Sequence, residues 1–222
     1  GGAARVRPRR SREPRQGQPA TERTEVKLLY DKTTLYIGFI CHDSDPTRII
    51  GTEMARDADL ASDDKVEILI DTFNDRRNAF YFATNPAGTL VDGLIAENGQ
   101  FIKEWDSIWN VRVRRSQDGW VAEFAIPFKT LTFTDGQPTW GFNVSRYIKR
   151  KLEDDRWASP RLDVRFFQVS EAGEISGLEG LERGTGLDVR PYLSGRSIHN
   201  AAANSDVLNG KGGFDAFFKL TP

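Results

Sequence analysis

The run KVEILIDTFNDRRNAFYFATNPAGTLVDGLIAE, residues 65–97, decides the fold. In its first part Val66, Ile68 and Ile70 fall on one side of an extended chain, and Lys65, Glu67, Leu69 and Asp71 on the other. That period of two is the mark of a β-strand. The second part, AFYFATNPAG (79–88), is rich in aromatic strand formers and ends in Asn-Pro and Gly, a turn signature. TLVDGLIAE (89–97) supplies the next strand. Strand follows strand with no helix between, so the pairing is antiparallel.

The same reading extends outward. EVKLLYD (25–31) and TLYIGFICHD (34–43) form a hairpin across Lys32 and Thr33. IWNVRVRR (108–115), the turn SQDG (116–119), WVAEFAIPF (120–128) and TWGFNVSRYIKR (139–150) follow. PFKTL (127–131) is expected to make one short turn of helix. Roughly eight to ten short strands separated by turns predict an all-β, antiparallel β-sandwich of jelly-roll type. The pattern is not βαβ, which argues against a parallel nucleotide-binding sheet.

A chain of 222 residues holds one substantial domain, with or without an appendage. The 38% hydrophobic and 28% charged content, with mean hydropathy −0.52, is globular and polar. The net charge of −1 gives no field that favours nucleic acid or an anionic membrane. Residues 1–23 differ: Arg5, Arg7, Arg9, Arg10, Arg12, Arg15 and Arg23 face only Glu13 and Glu22, with no apolar run, and read as a disordered basic arm. The sandwich is expected over 24–182. Gly-punctuated LEGLERGTG (178–186) ends it, and 183–222 reads as a linker and the first strands of a second, truncated β region, with LDVRPYLSG and FDAFFKLTP alternating. Cys41, the single cysteine, excludes a disulfide framework and reads as a buried strand residue. No N-terminal signal core is present, and no apolar window is long enough for a transmembrane helix.

Of five tryptophans, Trp109, Trp120 and Trp140 each share a face with apolar strand neighbours and are expected in the core. Trp105 in KEWDS and Trp157 in DDRWASP lie among charges instead. An exposed indole stacks on sugar C–H groups while charged neighbours take the hydroxyls. Trp105 and Trp157, with Glu104, Asp106 and Arg156, are therefore the candidate carbohydrate contacts. Asp57, Asp59, Asp63 and Asp64 crowd one loop, a composition suited to a structural Ca²⁺ or to a solvated turn, with Asp43 or Asp45 as further ligands. The loop does not match an EF-hand. His42 and His199 are too sparse for a histidine-based site. Glu67, Glu97, Glu104 and Glu123 are available for glycosidase chemistry, but no pair is singled out; Glu67 and Glu123 read as solvent-facing strand residues.

In order, ERTEVKLLYDKTTLYIGFICHDSDP, DDKVEILIDTFNDRRNAFYFATNPAGTLVDG, WDSIWNVRVRRSQDGWVAEFAIPFKTLTF and TWGFNVSRYIKR resemble the family 9 carbohydrate-binding module. The likeness spans about residues 12–182. It is strongest to the module that precedes an outer-membrane β-barrel of unknown function, with 187–222 resembling the first barrel strand. The resemblance implies glycan binding, often with bound calcium, no catalysis of its own, and a place in the bacterial cell envelope beside its barrel. Two departures stand out. The family clamps its sugar between two tryptophans, and the corresponding positions here, around Leu60–Ala61 and within 169–176, hold no aromatic residue. The family's opening strand also has no counterpart, since residues 1–11 look unrelated to it, and its absence predicts an exposed sheet edge. The competing expectations are a plug or docking domain that has lost sugar binding, and a haem-binding relative using Met54 and His42.

Overall fold

The computed structural model describes residues 3–6, 10–13, 16–182, 187–200 and 205–218. The strands are β1 (Ala3–Val6), β2 (Arg10–Glu13), β3 (Thr24–Tyr30), β4 (Thr34–His42), β5 (Lys65–Asp71), β6 (Ala79–Thr84), β7 (Val91–Ala96) and β8 (Gln100–Ile102). Then come β9 (Asn110–Ser116), β10 (Gly119–Pro127), β11 (Thr139–Ile148), β12 (Glu153–Arg156), β13 (Gly173–Ser176), β14 (Leu187–Asn200) and β15 (Ser205–Phe218). Every pairing is antiparallel. One sheet runs β1-β3-β4-β10-β9; the other runs β2-β12-β11-β5-β6-β7-β8, with β13 also on β11. This is the expected β-sandwich.

Alternation builds the core between the sheets. Ile37 and Phe39 of β4, Trp120 and Phe124 of β10, Ile68 of β5, Phe82 of β6 and Trp140 and Phe142 of β11 are buried in one cluster with Trp109. Trp109 lies parallel to Phe124 at 5.5 Å and edge-on to Phe82 at 5.2 Å. The three tryptophans expected in the core are therefore there, and the Cys41 thiol is buried among them, which pushes its pKa up to about 11.

The eight-stranded sheet is also covered on its outer side, which alternation alone did not reveal. Strands β5 and β6 are buried nearly throughout, because Phe166, Val169 and Ala172 pack over Leu69, Tyr81 and Ala83. The segment from residue 166 to 172 thus roofs part of the sheet. Glu67, expected to face solvent, lies beneath this edge and is 7% exposed. Gly93 of β7 is needed there, since a Cβ would strike the Phe101 ring.

The N-terminal arm departs from expectation. β1 pairs with β3 from Ala3↔Leu29 to Val6↔Val26, and β2 pairs with β12, so 1–23 contributes an edge strand to each sheet. Backbone pairing needs no apolar side chain, which is why arginine-rich composition concealed it. Thr21 also donates from N and Oγ1 to the Glu153 carboxylate, at 2.7 and 2.6 Å. PFKTL forms hydrogen-bonded turns and no helix, with Thr130 N on Pro127 O and Leu131 N on Phe128 O.

Gly1–Glu182 forms one unit and Arg183–Pro222 a second. In the second, β14 and β15 pair along fourteen positions, Leu187↔Phe218 to Asn200↔Ser205. Leu193 and Phe214 there are 89% and 71% exposed.

Candidate functional site

A pocket of about 390 Å³ opens on the outer face of the eight-stranded sheet, beside the roof. Its floor follows from strand register. Lys65, Tyr147 and Asp154 stand side by side on β5, β11 and β12, and in the next row Glu67 and Arg156 flank the small Ser145. Ala61, Arg165, Phe166 and Phe167 form the walls, and Arg12 of β2 closes one side.

The polar groups are held before any ligand arrives. Lys65 Nζ and the Tyr81 hydroxyl both donate to Glu67 Oε1, at 2.8 and 2.7 Å. Burial disfavours charge on Glu67, but the ammonium and the hydroxyl outweigh it and hold the carboxyl below its ordinary value. Burial likewise opposes the Lys65 charge, and Glu67 more than offsets it, raising that group. Burial and the Glu67 charge together push Tyr81 well up. Arg156 Nη2 and Nε donate to Asp154 Oδ2 (2.9 and 3.2 Å) and Nη1 to Val164 O (2.9 Å), while the guanidinium lies 5.7 Å over the Phe166 ring. Arg12 caps the carbonyls of Arg161, Leu162 and Val164, fastening the loop that carries the aromatic wall. Phe101 and Phe167 stack at 5.1 Å, with Tyr81 edge-on to Phe167 at 5.2 Å.

Unused capacity remains. Lys65 makes one of three possible donations, and both bonds to Glu67 end on Oε1, leaving Oε2 as an acceptor. A fixed cation, a fixed anion and an aromatic face within one pocket suit a ligand bearing both hydroxyls and apolar C–H faces. A general acid would need its carboxyl raised, and Glu67 is shifted the other way. Glu97 pairs with Arg77 at the surface, and Glu104 and Glu123 are exposed and outside the pocket lining.

Of the five candidate carbohydrate contacts, only Arg156 lines this pocket. Trp157, the next residue, alternates to the inner side, packs on Phe142 at 5.8 Å and covers Gly173, where a Cβ would strike its ring. Trp105 also turns inward, 5.2 Å from Phe80 and 6.1 Å from Phe82. Neither is the free indole its charged neighbours implied, and β5 lies between the strands they rest on. Glu104 is exposed, and Asp106 pairs with Arg56 at 2.6 Å. Arg56 also reaches Asp92 at 2.5 Å and Ser107 O at 3.0 Å, so it ties the loop down.

The calcium cluster is not assembled: among the described residues no group of three or more metal-ligating side chains comes together. Asp63 accepts from Thr52 N and Oγ1, Glu53 N and Asn85 Nδ2, and Asp64 from Ile50 N and Lys149 N. Asp59 caps a short turn at Ala61 N, and Asp57 accepts from Asp92 N at 3.3 Å. The aspartates order the loop by satisfying backbone N–H groups. Asp43 pairs with Arg146 and Arg150. Met54 is 81% exposed in the loop before β5, while His42 ends β4 of the other sheet.

Comparison with known proteins gives this geometry a context. Residues 11–160 match the family model described as carbohydrate family 9 binding domain-like. Two solved structures of a family 9 carbohydrate-binding module from Caldicellulosiruptor kristjanssonii are similar. The complex with cellotriose has 18% identity and TM-score 0.56, covering 81% of this chain and 84% of that one. The complex with glucose has 17% identity and TM-score 0.54, covering 78% and 83%. A Bacteroides uniformis protein described as carbohydrate-binding has 12% identity and TM-score 0.65, covering 79% and 86%. No curated protein matches.

Proposed function

Since the chain belongs to the carbohydrate family 9 binding domain-like family, we propose that it is a non-catalytic glycan-binding module whose sugar sits in the pocket of Lys65, Glu67, Arg165 and Phe167. The observation that carries this reading is the convergence at that pocket. Ala61, where the family's first clamp tryptophan is expected, lies on one wall, and Phe166 and Phe167 supply aromatic surface on another. The aromatic contribution has moved a few residues upstream of 169–176. Lys65 and Glu67 take sugar hydroxyls as donor and acceptor, and the ring stacks on Phe167.

Isothermal titration against xylo-, cello-, manno- and malto-oligosaccharides tests the proposal. It predicts saturable heat with at least one of them and loss of that heat in Phe167→Ala. Flat titrations across the panel support the second reading, a docking domain, which the missing tryptophan at Ala61 favours.

The attachment to an outer-membrane barrel belongs to this proposal. Strands of fourteen residues exceed the roughly 9–11 needed to cross a bilayer, and exposed Val189, Tyr192, Leu193 and Phe214 supply apolar surface. Partition of the full chain into detergent micelles, lost on deletion of 187–222, is the expected outcome; an unchanged distribution contradicts it. A structural Ca²⁺ is testable by chelation: a lower Tm with EDTA supports it, and an unchanged melt contradicts it.

A further inference from the structure

The outer face of the five-stranded sheet carries a second trough, of about 720 Å³, a size within the usual range of ligand sites. Register lays it out in rows across β3, β4, β10 and β9. One row is Leu29, Tyr36, Ala125 and Asn110; the next is Lys27, Gly38, Glu123 and Arg112. The first is an apolar shelf, with Leu29 52% and Tyr36 41% exposed, and the Tyr36 hydroxyl donating to Asp31 Oδ2 at 3.2 Å. The second is a charged rail about 7 Å away, two residues along each strand. At its middle Gly38 leaves the floor open, since a Cβ there would meet nothing within 4 Å. One row further, Arg114 stands opposite Val121.

Lys27, Arg112, Arg114 and Glu123 make no ion pair or side-chain hydrogen bond among the described residues, although Glu123 and Arg112 face each other across β10 and β9. Within the rail Lys27, Arg112 and Arg114 outnumber Glu123; Asp31 sits at the Tyr36 hydroxyl, and Glu25, at the far end of the Arg114 row, is neutralised by Arg23.

We infer that this face is a second glycan-binding surface, selective for uronate-bearing chains. Tyr36 stacks one pyranose ring, while Lys27 and Arg112 take the carboxylates of the chain lying across the strands. Arg114 extends the rail, and Glu123 and Asn110 accept and donate to hydroxyls. A protein partner fits less well, because the buried centre of such an interface is enriched in aromatics and depleted of charge. Nucleic acid fits less well too, since three cations around a carboxylate make a weak phosphate track. The inference stands on this face alone and does not depend on the pocket of the other sheet.

The test is titration of the full chain with a short oligogalacturonate at low salt. Saturable binding that weakens as salt rises is expected. The double variant Lys27→Gln/Arg112→Gln should lose on the order of tenfold or more in affinity, Tyr36→Ala should bind measurably more weakly, and Lys129→Gln, an exposed cation outside the trough, should bind as the parent does. Absence of binding overturns the proposal, as does equal binding by the double variant. Concentration-dependent dimerisation of the parent, abolished by Tyr36→Ala, would assign the face to a second copy and overturn it as well.

Discussion

The two outer faces of this sandwich carry similar groups in opposite states. On the eight-stranded sheet, Lys65, Glu67, Asp154 and Arg156 are bonded to one another and roofed by Phe166 and its neighbours. On the five-stranded sheet, Lys27, Arg112 and Glu123 stand exposed and unpaired among the described residues. The difference lies in what covers each sheet. A roof lowers the local dielectric, so charges must be paired to be tolerated, and pairing fixes their geometry. A fixed pocket recognises one shape; an open rail recognises charge along a chain.

The comparison can be broken first at its most buried point. Arg156→Ala removes the cation from a covered ion pair and leaves Val164 O with Arg12 as its donor, and should cost about 3 kcal/mol of stability, read from urea unfolding. A loss near zero would mean that the roof is not fastened there. Next comes ligand affinity: Phe167→Ala should weaken the best oligosaccharide by roughly tenfold, with a lower Tm from the lost contacts to Phe101 and Tyr81.

A third test concerns the inner side of β12, where Asp155 is wholly buried with neither oxygen hydrogen-bonded. Burial first, then the neighbouring Glu153 charge, pushes its pKa to about 8 from an ordinary 3.8. A carboxyl raised on folding stabilises below its unfolded pKa, and that stability is lost as pH rises through about 8. Glu22 works in the opposite window. Burial opposes its charge, but Lys151, Ser44 and Arg150 prevail and lower it to about 2, so its contribution is present above the ordinary 4.5 and lost as pH falls towards 2. The Tm of the parent should fall between about pH 5 and 8 and level off above, and Asp155→Asn should flatten that decline. An equally steep decline in the variant would assign it to another group. The smallest effect is expected on the open face, where Lys27→Gln should move stability by less than about 0.5 kcal/mol.

Most of the sandwich was legible in the sequence, and the pocket was not. Val66, Ile68 and Ile70 announced β5 by alternation, but alternation says only that Glu67 points to the other side, not what lies over it. The answer comes from Phe166, about a hundred residues later. Trp105 and Trp157 misled for a related reason: charged sequence neighbours point the other way along an extended chain and say nothing of the indole's own surroundings. The aspartates before β5 were ambiguous because capping N–H groups and ligating a cation call for the same oxygens. Adjacent Phe166 and Phe167 in VRFFQ are the sequence signal for the aromatic wall.

The most direct measurement is a crystal structure of the chain with a saturating oligosaccharide from the titration panel. The account predicts a pyranose ring against Phe167, with hydroxyls within hydrogen-bond distance of Lys65 Nζ and Glu67 Oε2. An empty pocket at saturation, or a ring held only at Trp105 or elsewhere, would contradict it.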